Sequence, residues 1–361
     1  MTVATSKHQL ESRPKAAGGR RPRKPRHAWE TLSDEQLLSL RLCDLQLSIQ
    51  GTELEEAIER LYRELAMRGI RFRPHCWLAQ EWFSPDGIPG IAIPFYLAHR
   101  RLMGIERRFM REVEGGNRNW LMRILRHEAG HAFDSAYRLR RLARWRAAFG
   151  PASLPYPETY RPRPGSRRFV QHLGAWYAQA HPTEDFAETF AVWLKPKSPW
   201  RRDYLGWPAY AKLEFIDSLA GDIGGSKPLV TDRGTIEDVR HEKCTLREHY
   251  ERKLANAPLR RRSGADELLL KVFTAAPRRR EQPRAASLLR EWRNPLRQQI
   301  LRSGAFSEYL VHQVLRLMIE RCENLNLYVR GSRRALKPQL QWVIARLAES
   351  YEERQLPRVS L

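Results

Sequence analysis

Apolar positions in the first part of the chain recur at helical steps. Leu54, Ile58, Leu61, Tyr62 and Leu65 predict an amphipathic helix that begins after Thr52 and stops at Gly69. Upstream, Ser33-Asp34-Glu35 reads as a helix start, followed by Leu37, Leu38, Leu40, Leu42, Leu45 and Leu47. The period then changes. Ile70-Arg71-Phe72-Arg73 alternates, Cys76-Trp77-Leu78-Ala79 extends the run, and Ser84-Pro85-Asp86-Gly87 is a turn signature. Ile91 to Leu97 reads as a second strand. Pro94 has no amide hydrogen to offer a ladder, so that strand should lie at a sheet edge or be interrupted. Trp120 to Phe149 predicts one long helix free of proline. Five prolines between Pro151 and Gly165 require a loop or an extended insertion. Helix returns over Pro182–Leu194. Residues 220–235 form a Gly- and Pro-containing link, and from Ile236 the pattern is helical, with breaks near Pro258, Pro277–Pro283 and Gly331.

These elements predict an α+β fold: a mainly helical domain with a small sheet, plus a C-terminal helical extension. The expected divisions are a basic disordered tail over 1–27, a main domain over 28–220 and a basic helical extension over 221–361. No internal repeat is visible.

Composition sharpens this picture. Of 361 residues, 42% are hydrophobic, enough for a substantial core, and Lys+Arg 64 against Asp+Glu 41 gives a net charge of +23. Such a balance favours contact with polyanions, here through the basic tail and the runs Arg260-Arg261-Arg262 and Arg278-Arg279-Arg280. The four cysteines (Cys43, Cys76, Cys244, Cys322) form no CxxC pair, which argues against a disulfide scaffold and a four-cysteine zinc module. No apolar run is long enough to span a membrane, and the basic N-terminus lacks the apolar core of a secretory signal. The expected compartment is the cytoplasm.

The chemistry is concentrated in Arg126-His127-Glu128-Ala129-Gly130-His131. Two histidines four residues apart project from one helical face, so both imidazoles can reach one tetrahedral ion. Glu128, beside the first of them, can reach a metal-activated water and act as its general base. Leu121, Ile124 and Leu125 precede the motif at helical spacing, which buries it, and buried histidines and a glutamate need a compensating partner.

A catalytic zinc site needs a third protein ligand and one open position. The best downstream candidate is Glu184, within His181-Pro182-Thr183-Glu184-Asp185-Phe186-Ala187-Glu188. Glu184 and Glu188 share a helix face with Ala187 and Ala191, while Phe186, Phe190 and Trp193 fall opposite. Glu184 can then ligate the ion and Glu188 hydrogen-bond a ligand histidine. Two alternatives stand beside this: first-turn acids that only complement the helix dipole, and His181 as third ligand in place of Glu184. Asp134, three residues after His131, either orients an imidazole or lies at the surface. His241, Cys244 and His249 fit no standard zinc spacing and read as plain helix.

His127-Glu128-x-x-His131 followed by Glu184-x-x-x-Glu188 resembles the gluzincin metallopeptidases, in which two histidines and a glutamate from a second helix bind zinc. The run Glu184-Asp185-Phe186-Ala187-Glu188-Thr189-Phe190 is most similar to the anthrax-lethal-factor-like peptidases and to bacterial proteins described as zinc-binding metallopeptidases. The resemblance covers roughly residues 70–220. It implies Zn²⁺ as cofactor, a peptide or protein as substrate, and a tyrosine at Tyr177 aimed at the reacting carbonyl. On the residues alone, Tyr177 is equally a core tyrosine beside Trp176. The resemblance also implies that the Ile91–Tyr96 strand flanks the cleft, with Pro94 breaking its pairing.

The leading expectation is therefore a zinc metallopeptidase. Its ligands are His127, His131 and Glu184, its general base Glu128, and its oxyanion donor Tyr177. The alternative is a basic helical protein that binds nucleic acid or another polyanion, with a structural or vestigial zinc.

Overall fold

A computed structural model describes residues 27–352 apart from 111, 158, 164, 257–263, 278–280, 303–305 and 307, together with 359–360. The tail expected over 1–27 lies outside the described residues except for His27, which stacks on Trp29 at 4.9 Å. The arginine runs at 260–262 and 278–280 lie outside them as well.

The fold is mainly helical α+β, as the periodicity predicts. Helix α1 (Asp34–Leu38) starts where the Ser33 hydroxyl accepts the Gln36 amide hydrogen. Helix α2 (Glu53–Met67) starts at Thr52 in the same way, and the chain leaves it through Gly69 at φ +76°. Strands β1 (His75–Ala79) and β2 (Gly90–Pro94) pair in parallel, with Ala79 opposite Pro94. The strand expected to reach Leu97 stops at Pro94, and Phe95–Ala98 is a 3-10 turn. On the other side of β2 there is one antiparallel bridge, Phe83 to Ala92.

Helices α3 (Arg100–Met110) and α4 (Arg118–Tyr137) follow, the latter capped by Asn117, which accepts the Trp120 amide hydrogen at 2.9 Å. The single helix expected over 120–149 is two. Arg138 adopts the left-handed conformation (φ 54°), and the chain restarts as α5 (Ala143–Phe149). The break is held by Asp134, whose carboxylate accepts the Arg140 backbone amide at 2.9 Å and its guanidinium at 2.7 Å. Helix α6 (Pro182–Leu194) has the expected bounds, and α7 (Trp200–Asp203) and α8 (Pro208–Ile223) complete this part.

One hydrophobic cluster runs from Trp29 to Tyr250, so α9 (Leu246–Asn256) belongs to it through Leu246 and Tyr250. A second runs from Ala265 to Ala348 and is built by α10 (Gly264–Val272), α11 (Ala285–Leu301), α12 (Glu308–Asn324) and α13 (Arg333–Glu352). Between the clusters the ties are polar. Arg321, held by Asp266 of its own cluster at 2.7 Å, pairs across to Glu112 at 2.7 Å, and Arg123 pairs with Glu320 at 2.7 Å. Among the described residues no helix is long and apolar enough to cross a membrane.

Candidate metal centre

Helices α4 and α6 pack against each other and are in tight contact at the motif itself. A Cβ on Gly130 would stand 2.9 Å from the Cα of Ala187, so glycine is required there. Next to that contact Phe133 stacks on Phe190 at 5.3 Å, while Phe186 and Trp193 are buried on the far side of α6. Gly130 and Ala187 let the helices meet there, and Phe190, expected on the opposite face of α6, packs against α4 beside them; this crossing brings His127, His131, Glu184 and Glu188 together.

The geometry is tight. His127 Nε2 lies 2.9 Å from Glu184 Oε2 and 3.1 Å from His131 Nε2, and His131 Nε2 lies 3.3 Å from Glu184. A tetrahedral centre with bonds of about 2.0–2.1 Å sets neighbouring ligand atoms about 3.3 Å apart, close to these separations. Glu188 accepts a hydrogen bond at 3.0 Å from His127 Nδ1, which fixes that nitrogen as the protonated one and turns the Nε2 lone pair inward. Its other oxygen accepts the Leu173 amide hydrogen at 2.8 Å. A lone pair facing a second ring nitrogen and a carboxylate is unfavourable without a cation among them. The donor set therefore fits a zinc-sized divalent ion.

The electrostatics describe the same cluster with a proton on His127 Nε2 in the place an ion would take. Burial alone would push the His127 imidazole down, but hydrogen bonds with Glu184 and Glu188 outweigh it and hold its pKa well above the ordinary value. Burial would raise the Glu184 carboxyl; the charge of His131 and the hydrogen bond from His127 prevail and hold it well below. The cluster calls for positive charge at its centre.

Glu128 is buried, and its Oε2 has no hydrogen-bond partner. Such an oxygen is costly unless a solute or solvent molecule reaches it. Glu128 lines a cavity of about 350 Å³ together with both histidines, Glu184, Tyr177 and the Trp82–Ser84 rim. The rim is fixed to α4 by the Ser84 hydroxyl, which donates to the Glu128 carbonyl at 3.1 Å.

Tyr177 also lines this cavity, its ring 5.6 Å from that of His127. It follows two consecutive residues in the left-handed region, Ala175 (φ 57°) and Trp176 (φ 55°). Non-glycine residues adopt that conformation at a cost, and surrounding contacts must hold it. Here Tyr160 donates to the Ala175 carbonyl at 2.8 Å. Burial, with the Glu184 charge adding to it, raises the Tyr177 pKa well above the usual phenol value, so the group stays a hydrogen-bond donor.

Sequence reasoning missed Tyr156. Its hydroxyl donates to Glu184 Oε1, and its ring stacks on His181 at 4.5 Å. The one signal was an aromatic residue between Pro155 and Pro157 in a segment read only as an insertion.

The other candidates are placed elsewhere. His181 caps α6, accepting the Thr183 amide hydrogen and donating to the Leu154 carbonyl at 3.0 Å. His172, which lies near the site in sequence, donates to the Arg123 carbonyl at 2.9 Å. Asp134 neither orients an imidazole nor lies at the surface: it is buried on Arg140. His241 and Cys244 precede α9, and within that helix His249 bonds Gln80 at 3.0 Å. Among the described residues, His127, His131 and Glu184 are the one group of such side chains with ligand atoms within 4.8 Å of one another.

No curated protein and no solved structure matches the chain. A model of the family described as "Putative zinc-binding metallo-peptidase" matches residues 104–198, a stretch that contains both motifs and Tyr177. That match, together with the His-His-Glu cluster, supports a metallopeptidase.

Proposed function

We propose that the chain is a zinc peptidase of the gluzincin type, close in its second motif to the anthrax-lethal-factor-like peptidases, acting on a peptide or protein. One observation carries this reading. Two imidazole nitrogens and a carboxylate oxygen from two helices converge within 4.8 Å, next to a buried glutamate with an unpartnered oxygen. His127, His131 and Glu184 would hold the ion. Zinc at this place supplies Lewis acidity to the peptide carbonyl and to water.

The remaining steps belong to the protein. Glu128 takes a proton from the attacking water and passes it to the leaving amine. Tyr177, kept protonated, donates a hydrogen bond to the oxyanion that develops on the carbonyl. Glu188 keeps His127 in the tautomer that presents Nε2. The four cysteines are free thiols, which favours a reducing compartment such as the cytoplasm.

The test is the Glu128→Gln variant in a peptide-library cleavage assay, with zinc measured on the same samples. Zinc is expected to stay at wild-type stoichiometry while turnover is lost by a factor of at least about 10². Cleavage at the wild-type rate would remove Glu128 from the mechanism. For His131→Ala the expected result is loss of the zinc, and stoichiometric retention would contradict the ligand assignment.

A further inference from the structure

Glu184 has two carboxylate oxygens, and a ligand of this kind can bind an ion through one or through both. The choice matters, because a second carboxylate oxygen on the ion fills the position that substrate or water needs. In this chain the two oxygens are not equivalent. Both lie 3.3 Å from His131 Nε2, but only Oε2 approaches His127 Nε2, at 2.9 Å, while Oε1 accepts the Tyr156 hydroxyl.

Tyr156 is half-exposed, but the segment that carries it is held at several points. Its ring lies on His181, the cap residue of the helix that carries Glu184. Two residues upstream, the Leu154 carbonyl accepts from His181 Nε2 at 3.0 Å. Downstream, Arg163 and Gln179 exchange hydrogen bonds of 2.7 and 3.0 Å between the proline-rich segment and the turn that carries Tyr177. Pro155 and Pro157 flank Tyr156 and restrict the chain on both sides. A neutral phenol cannot replace the cation, but it can fix the orientation of the carboxylate that binds it.

We propose that Tyr156 is a positioning residue for the third metal ligand: it occupies Glu184 Oε1, leaves Oε2 for the ion, and so keeps the fourth position open. The proposal rests on the zinc reading above. It assigns the proline-rich segment a part in the site, where length alone had been its apparent property. Residues that orient metal ligands in this way typically contribute roughly 10–100-fold to metal affinity or activity.

The experiment uses the full chain, stripped with a chelator and reloaded. Zinc affinity is measured by competition with a chromophoric chelator, and coordination by the visible absorption of the Co²⁺-loaded protein. Tyr156→Phe is expected to weaken zinc by roughly 10–100-fold and to weaken the Co²⁺ bands as a second carboxylate oxygen joins the ion. Tyr177→Phe, which removes a hydroxyl hydrogen-bonded to Tyr156 and none from Glu184, is expected to move both readouts less than Tyr156→Phe does and to lower kcat. The Phe variant differs by one oxygen on a half-exposed ring, and equal melting of the stripped proteins checks that the fold is intact. A wild-type zinc Kd and Co²⁺ spectrum in Tyr156→Phe overturn the positioning role, whatever happens to activity, and leave the zinc reading standing. A wild-type chain that takes up no zinc overturns both.

Discussion

Glu188 shows how much depends on a single side chain outside the candidate ligand set. Its two oxygens serve two donors, His127 Nδ1 and the Leu173 amide just before the turn that carries Tyr177. Glu188→Ala would leave both unpaired in a buried place and free the His127 ring to change tautomer. Zinc affinity is expected to fall roughly 10–100-fold by chelator competition, and an unchanged affinity would mean that packing alone orients the ring. The residues of the first motif were legible because a spacing of four puts both imidazoles on one helix face whatever surrounds them. Glu184 and Glu188 were legible for the same reason. Tyr156 was not, because nothing in a proline-rich loop fixes where a side chain points. Asp134 was also misplaced: its partner Arg140 lies beyond a helix break that the pattern did not reveal.

Between elements, the decisive contact is that of α4 with α6. Gly130 is the unspecified position just before the second histidine of the motif, yet its missing Cβ sets the distance between the helices. Gly130→Ala improves helix propensity by about 1 kcal/mol. Against that, the methyl meets backbone at Ala187, and overpacking of this kind costs about 1–3 kcal/mol. The expected net result in urea unfolding of the chelated protein is destabilisation by up to about 2 kcal/mol. Zinc should bind more weakly, since the histidines and the carboxylate sit on the two helices being forced apart. A variant as stable as wild type, with the same zinc affinity, would show that α6 shifts freely. Most helices could be placed from caps and periodicity, as Ser33, Thr52 and Pro182 illustrate. The break at Arg138 could not. It carries no glycine or proline, and it is held by a side-chain bond that spans six residues, from Asp134 to Arg140, which helical periodicity does not show.

For the molecule as a whole, the sequence suggested a division near residue 220, where glycine and proline accumulate. The hydrophobic clusters add a fact the composition could not supply: Val239, Leu246 and Tyr250 are buried with the first cluster, and the second begins at Ala265. We therefore propose that the catalytic unit extends through α9 and that α10–α13 form a separate helical unit docked by charge. Arg321 is the centre of that docking, with Glu112 from the first unit and Asp266 from the second on one guanidinium. Arg321→Met would leave two carboxylates without their cation. Breaking a buried pair costs about 3–5 kcal/mol, and partial exposure of Glu112 brings the expected loss nearer the lower figure. Because the arginine lies on α12 and touches none of the ligands, zinc affinity should change by less than about twofold. Hydrogen exchange across α10–α13, measured beside a zinc titration, separates the possibilities. Faster exchange confined to those helices, with zinc binding intact, is the expected result for two units. Exchange that accelerates through α4 and α6 as well, with zinc lost in parallel, would mean that the two clusters unfold as one and that the extension is part of the catalytic fold.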